Sequence, residues 1–128
     1  MQNLIGPDLL LFRSTLMLKP AFHGSGHEFH QDSAYWPMEP PRLVTVSIAL
    51  DDANTANCCF KVVPGSHKWG LKMKESTPAG GRLVSGLEVR ELLDDVDLSD
   101  QIAVPLSAGS ILFFHSLIMH GSDANTSP

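Results

Sequence analysis

The chain has 128 residues, near the usual size of one domain, so one core and no second domain are expected. Hydrophobic residues at 43% and charged residues at 18% exclude a disordered chain. A net charge of -5, from 9 basic and 14 acidic residues, opposes a nucleic-acid-binding surface, and no apolar run approaches the roughly 20 residues of a membrane helix.

Leu9 to Leu18 is rich in apolar residues and stops at Lys19-Pro20, which predicts a strand and a breaker. Ala21 to Gly26 carries two glycines and reads as loop. Arg42 to Asp51 is the clearest strand. Val44, Val46, Ile48 and Leu50 alternate with Thr45, Ser47, Ala49 and Asp51, giving one apolar face and one small, polar face. The first is expected to pack, and the second to line a wet cavity. Asp51 to Asn57 is a polar turn, and Phe60 to Val63 a short strand closed by Pro64-Gly65-Ser66. Lys68 to Gly86 reads as a surface excursion, Val89 to Leu93 as a short helix, and Asp94, Asp95, Asp97 and Asp100 as a solvated acidic run. Ile102 to Val104 and Ser110 to Phe114 are strands around a turn at Ser107 to Gly109, and Ser116 to His120 begins another. Short strands with Gly/Pro turns predict a mainly β fold, a sandwich or barrel. The strand count is too low for a complete barrel, and a fragment is expected.

Adjacent Cys58 and Cys59 rarely reach disulfide geometry and read as thiols in a reducing cytosol. The start Met1-Gln2-Asn3 has no basic region or long apolar segment, so no secretion signal and a cytoplasmic location are expected.

The six histidines carry the chemistry. His30-Gln31-Asp32 has the His-X-Asp spacing, and residues i and i+2 of an extended segment point to one side. An imidazole and a carboxylate can then take adjacent corners of one metal. A distant histidine would complete the 2-His-1-carboxylate face of Fe(II) oxygenases, leaving three positions open. The pair alone is weak evidence, since about 0.4 such pairs arise by chance in this composition. A zinc hydrolase built on His23, His27, Glu28 and His30 is a rival. However, His27 and His30 are three apart, the metalloprotease helix needs four, and the nearby glycines and proline oppose a helix. A non-catalytic β-barrel remnant is the other rival.

Further motifs supply context. They are the aromatics in Ser33-Ala34-Tyr35-Trp36, the turn Val63-Pro64-Gly65-Ser66-His67, and the run Ala108-Gly109-Ser110-Ile111-Leu112-Phe113-Phe114-His115 leading to His120-Gly121-Ser122-Asp123-Ala124-Asn125. In this order and spacing, from about Gly6 to Ser127, the sequence resembles the phytanoyl-CoA dioxygenase family of Fe(II)/2-oxoglutarate oxygenases. The resemblance implies a double-stranded β-helix (a cupin-like jelly roll) with Fe(II) at its open end. It implies His30, Asp32 and His120 as metal ligands, and Gln31, Ser122, Ser47 and Thr15 as residues lining the 2-oxoglutarate cosubstrate. It also implies dioxygen as oxidant, with ascorbate allowed as reductant, and release of succinate and carbon dioxide as a small organic or acyl substrate is hydroxylated. Asp32 favours hydroxylation, because related halogenases carry a small residue there. No nucleic-acid or membrane partner is expected.

Departures from the pattern are equally specific. The family places an Arg about eleven residues beyond the distal histidine, and the last basic residue here is Arg90. The family's N-terminal helical region has no counterpart, so truncation at both ends is expected. Ser47 falls where a tryptophan is frequent, and Cys58 where a turn glycine is common. His67 and His115 read as structural, His23 and His27 as loop residues near the entrance, and Lys19 as an exposed strand end.

Overall fold

The computed structural model describes residues 1–36, 38–74, 83–84, 87–88 and 92–128. It is mainly β with short helical turns, as the patterning predicts. The elements in chain order are α1 (Gln2–Ile5), β1 (His27–His30), a 3-10 turn (Asp32–Ala34), β2 (Val44–Ile48), β3 (Phe60–Val62) and a second 3-10 turn (Ser66–Trp69). Then follow β4 (Leu83–Val84), β5 (Leu87–Glu88), β6 (Ile102–Val104), β7 (Ile111–His115) and β8 (His120–Ser122). Four strands form one antiparallel sheet in the order β1-β8-β3-β6; β2 pairs with β7, and β4 with β5.

The β2–β7 register follows the alternation read in the sequence. Val46 faces Phe113 and Ile48 faces Ile111 on one side, while Thr45 faces Phe114 and Ser47 faces Leu112 on the other. The polar side turns inward. Phe114 meets Phe60 of β3 at 5.0 Å between ring centroids, and Thr45 reaches Asp32, so β2–β7 lies over the four-stranded sheet. The apolar side differs from expectation. Ile48 is 58% exposed and Phe113 45% exposed, because no described element covers that face.

The stretch Leu9 to Leu18 also departs from its expected strand. It forms no ladder with any described strand, and Leu10 is 96% exposed. Apolar composition gave the expectation, but a strand exists only where a neighbour takes its backbone groups. Of the expected helix Val89 to Leu93, residues 89–91 lie outside the described set. Leu92 instead bridges Met73, and the Leu93 amide donates to the Lys72 carbonyl. Most of the expected excursion from Lys68 to Gly86 lies outside the described set too, apart from the 3-10 turn, the Met73 bridge and β4. The acidic run is exposed at its charged positions, with Asp95 paired to Lys72 at 2.6 Å and Asp94 to Lys74 at 3.1 Å.

The buried set is unusually polar. Beside Ala34, Cys59, Val63, Met73 and Met119 stand Gln31, Asp32, Ser66, Ser116, His120 and Asn125. Buried polar groups need hydrogen-bond partners, and these side chains have them. Ser66, set by the turn at Pro64-Gly65, donates to the Val63 carbonyl and accepts from the Met119 amide, both at 2.7 Å. That pair fixes the entry of β8 one residue before His120. Ser116 joins Ser33 hydroxyl to hydroxyl at 2.8 Å and so ties the end of β7 to the turn that carries Asp32.

Candidate metal centre

His30 closes β1, Gln31 continues it in extended conformation at φ -118° and ψ 129°, and Asp32 opens the 3-10 turn. One extended residue between the two therefore leaves imidazole and carboxylate on one side. In β8, His120 lies directly opposite His30. The result is a cluster in which one ligand atom from each of His30, Asp32 and His120 lies within 4.8 Å of the others. Asp32 Oδ1 stands 3.7 Å from Nε2 of His30 and 3.7 Å from Nε2 of His120, and the two imidazole centroids are 4.3 Å apart. Neighbouring ligands at about 2.1 Å from a metal stand about 3 Å apart, so a small inward shift closes this set on one ion.

The hydrogen bonds around the cluster orient all three donors. His30 Nδ1 lies 2.7 Å from the Glu28 carbonyl, and His120 Nδ1 lies 2.9 Å from the Ile118 carbonyl. A carbonyl can only accept, so each Nδ1 carries the proton and each Nε2 offers its lone pair to the centre. Asp32 Oδ2 accepts from the Thr45 hydroxyl at 2.6 Å, which leaves Oδ1 directed at the two Nε2 atoms. Two neutral imidazoles and one carboxylate are a donor set that fits Fe(II).

Burial tunes the centre as well. His120 is packed against Phe60 at 5.0 Å and Phe114 at 4.9 Å. Burial, and then the neighbouring His30, push its pKa down to about 4. The ring is therefore neutral at neutral pH, the state a metal requires. Tyr35 adds an edge-on contact to His30 at 5.8 Å.

Other residues singled out in the sequence are placed variously. Ser122 follows His120 by two positions in β8, on the same side by alternation, and Ser47 shares the inward side of β2 with Thr45. Gln31 is fully buried, but it points away from the ligand pair. Its amide donates to the Gly70 and Leu117 carbonyls at 2.9 and 2.8 Å and accepts from the Lys72 amide at 2.7 Å. Those bonds lock the ligand segment in place. Thr15 lies in the exposed N-terminal stretch, where its hydroxyl accepts from Arg13 Nε at 3.1 Å. Trp36 packs against Phe12 at 5.5 Å, and His23 is exposed in a turn. His67 lies 6.0 Å from His115, away from the cluster, and Cys58 adopts φ 64°, the left-handed backbone that makes glycine common there.

Two residues gain importance from the fold. Thr45 is one; the small polar face predicted a cavity wall, but not its bond to Asp32. His27 is the other. It sits in β1 rather than in a loop, opposite Ser122, while His30 lies opposite His120. Three residues of β1 thus span two of β8, a bulge that turns His27 to the same side as His30. Burial, then Lys19, then His30 lower the His27 pKa. Thr45→Val, which keeps shape and removes the donor, should weaken Fe(II) binding about 10- to 100-fold with little change in the apo fold. Anaerobic titration against a competing chelator measures it.

The sequence matches the phytanoyl-CoA dioxygenase (PhyH) family over residues 1–128. It is 33% identical to the ectoine dioxygenase of Nocardia farcinica over 141 residues, covering 99% of this chain and 46% of that protein. It is 29% identical to the human peroxisomal phytanoyl-CoA dioxygenase over 127 residues, covering 94% of this chain and 36% of that one. The structure superposes on EvdO2 from Micromonospora carbonacea var. aurantiaca, solved in complex with 2-oxoglutarate, with a TM-score of 0.62 and 25% identity, covering 85% of this chain and 43% of that one. The fold is thus shared with non-haem oxygenases. The chain belongs to the phytanoyl-CoA dioxygenase family. It spans less than half the length of these relatives.

Proposed function

We propose that this chain carries the metal centre of an Fe(II)- and 2-oxoglutarate-dependent dioxygenase, with His30, Asp32 and His120 as ligands, which hydroxylates a small organic or acyl substrate. The observation that carries this reading is the orientation of the donors: both Nδ1 protons are held by main-chain carbonyls, so both Nε2 lone pairs face the same Asp32 oxygen. Iron bound there, with 2-oxoglutarate and dioxygen, supplies the oxidising chemistry that releases succinate and carbon dioxide. The chain's own contribution is geometric. Thr45 fixes the carboxylate, Phe60 and Phe114 wall His120 with apolar surface, and Ser122 and Ser47 line the cosubstrate side. Residues 1–128 form part of one double-stranded β-helix domain. Asp32 favours hydroxylation over halogenation.

The expected partner is a small molecule, without nucleic acid or membrane, in the cytoplasm; among the described residues no helix is long and apolar enough to cross a membrane. Supplying anaerobically reconstituted protein with oxygen should give succinate only when Fe(II) and 2-oxoglutarate are both present. Stoichiometric zinc with hydrolysis independent of 2-oxoglutarate would overturn the reading in favour of a hydrolase. Bound Fe(II) without any succinate would leave a ligand-binding barrel.

A further inference from the structure

Tyr35 is the only tyrosine of the chain, and the fold brings it to the metal centre. It caps the 3-10 turn that Asp32 opens, and its amide donates to the Asp32 carbonyl at 3.0 Å. That turn is held in place. The Ala34 amide donates to the Gln31 carbonyl at 3.0 Å, the Ser33 amide donates to the Ser116 carbonyl at 3.1 Å, and Ala34 is buried. The Tyr35 main chain is therefore fixed one turn from the ligand Asp32. Its ring lies edge-on to the ligand His30, at 5.8 Å between centroids and 72° between planes.

Among the described residues, three benzene rings touch the ligand histidines: Tyr35 on His30, and Phe60 and Phe114 on His120 at 5.0 and 4.9 Å. They differ in chemistry. A phenol oxygen feeds electron density into its ring, most of all at the carbons ortho to it. Tyrosine therefore yields electrons to an oxidant far more readily than phenylalanine does. They differ in setting too. Phe60 and Phe114 pack on each other at 5.0 Å, whereas Tyr35 is half-buried and stays partly open to dissolved dioxygen.

We propose that Tyr35 is a self-modification site, converted to a catechol when 2-oxoglutarate and dioxygen react at the centre with no substrate in place. This rests on the 2-oxoglutarate reading above and adds to it a fate for oxidising power that meets no substrate. The ring C–H bond ortho to the hydroxyl is replaced by C–OH. One atom of dioxygen enters the ring, the other enters succinate, and 2-oxoglutarate loses carbon dioxide. Ring and 2-oxoglutarate each give up two electrons, and dioxygen takes all four. A catechol bound to ferric iron absorbs visible light, so the modified protein should be coloured. A tyrosine that only steadies the His30 ring would look alike in the free protein, so the test must follow the oxygen atom.

Protein loaded with Fe(II) and 2-oxoglutarate, and no other substrate, is exposed to isotopically heavy dioxygen and digested. The Tyr35 peptide should gain one heavy oxygen on its ring, which fragmentation separates from methionine oxidation. The undigested sample should develop a visible absorption band that is absent from Tyr35→Phe. A second measurement needs no turnover. With paramagnetic Mn(II) in place of Fe(II), the ring signals of labelled Tyr35 should broaden strongly in the NMR spectrum; with diamagnetic Zn(II) they should stay sharp. Three results each overturn the proposal: succinate formed without heavy oxygen at Tyr35, heavy oxygen placed on Phe60 or Phe114 instead, or Tyr35 signals that stay sharp with Mn(II) bound. If no succinate forms at all, the 2-oxoglutarate reading fails, and this inference falls with it.

Discussion

Asp32→Ala should lower Fe(II) affinity by more than about 100-fold, a larger effect than that of any change which only disturbs a ligand's support. Asp32 provides the charge of the donor set, and its Oδ1 is the atom equidistant from the two Nε2 atoms at 3.7 Å. Without it, two imidazoles remain, His120 packed against Phe60 and Phe114 and His30 against Tyr35, with nothing to offset a divalent charge. The apo fold should suffer much less. The substitution removes a buried carboxylate and strands the Thr45 hydroxyl, a cost of about 1 kcal/mol that the partial exposure of Thr45 reduces. Metal titration and thermal melting of the same sample separate the two effects. A variant that melts like the parent but no longer holds Fe(II) is the expected result. Tight Fe(II) binding by Asp32→Ala would remove this residue from the ligand set and succinate formation from its explanation.

The parts of this arrangement that were legible in the sequence are those governed by local alternation. Thr45 and Ser47 between Val44, Val46 and Ile48 predicted a two-faced strand, and β2 is that strand. The spacing of His30 and Asp32 predicted a shared side, and one extended residue between them delivers it. What escaped were effects of the partner strand. The bulge in β1 changes parity only when β1 is laid against β8, so His27 read as a loop residue. Gln31 reads like a site residue because its neighbours are ligands. Its direction is set instead by Gly70, Lys72 and Leu117, carbonyls and an amide invisible to a linear pattern. Apolar composition alone predicted a strand from Leu9 to Leu18, but no described strand supplies the ladder.

Gly121→Ala should prove nearly as damaging to the metal centre, although it touches no ligand. Gly121 separates His120 from Ser122 in β8, with its α-carbon against β1. A Cβ added there would meet the His27 carbonyl oxygen at 2.8 Å, Phe29 Cδ2 at 3.0 Å and the Phe29 amide nitrogen at 3.1 Å. A ring can turn aside, but two of these atoms belong to the main chain of β1 and can retreat only if the strands part. Overpacking of this kind costs about 2 to 3 kcal/mol, or roughly 10 °C in Tm. Parting β1 from β8 also moves His30 from His120, whose rings now lie 4.3 Å apart, so Fe(II) affinity should fall together with Tm. Adding Phe29→Ala relieves only the ring contact and leaves both main-chain ones, so the double variant should remain a poor metal binder. Recovery of Fe(II) affinity in that double variant would show that the ring, not the β1 backbone, sets the spacing of the ligands. Parental Tm and affinity in Gly121→Ala itself would show that the two strands are free to move without disturbing the ligands they carry.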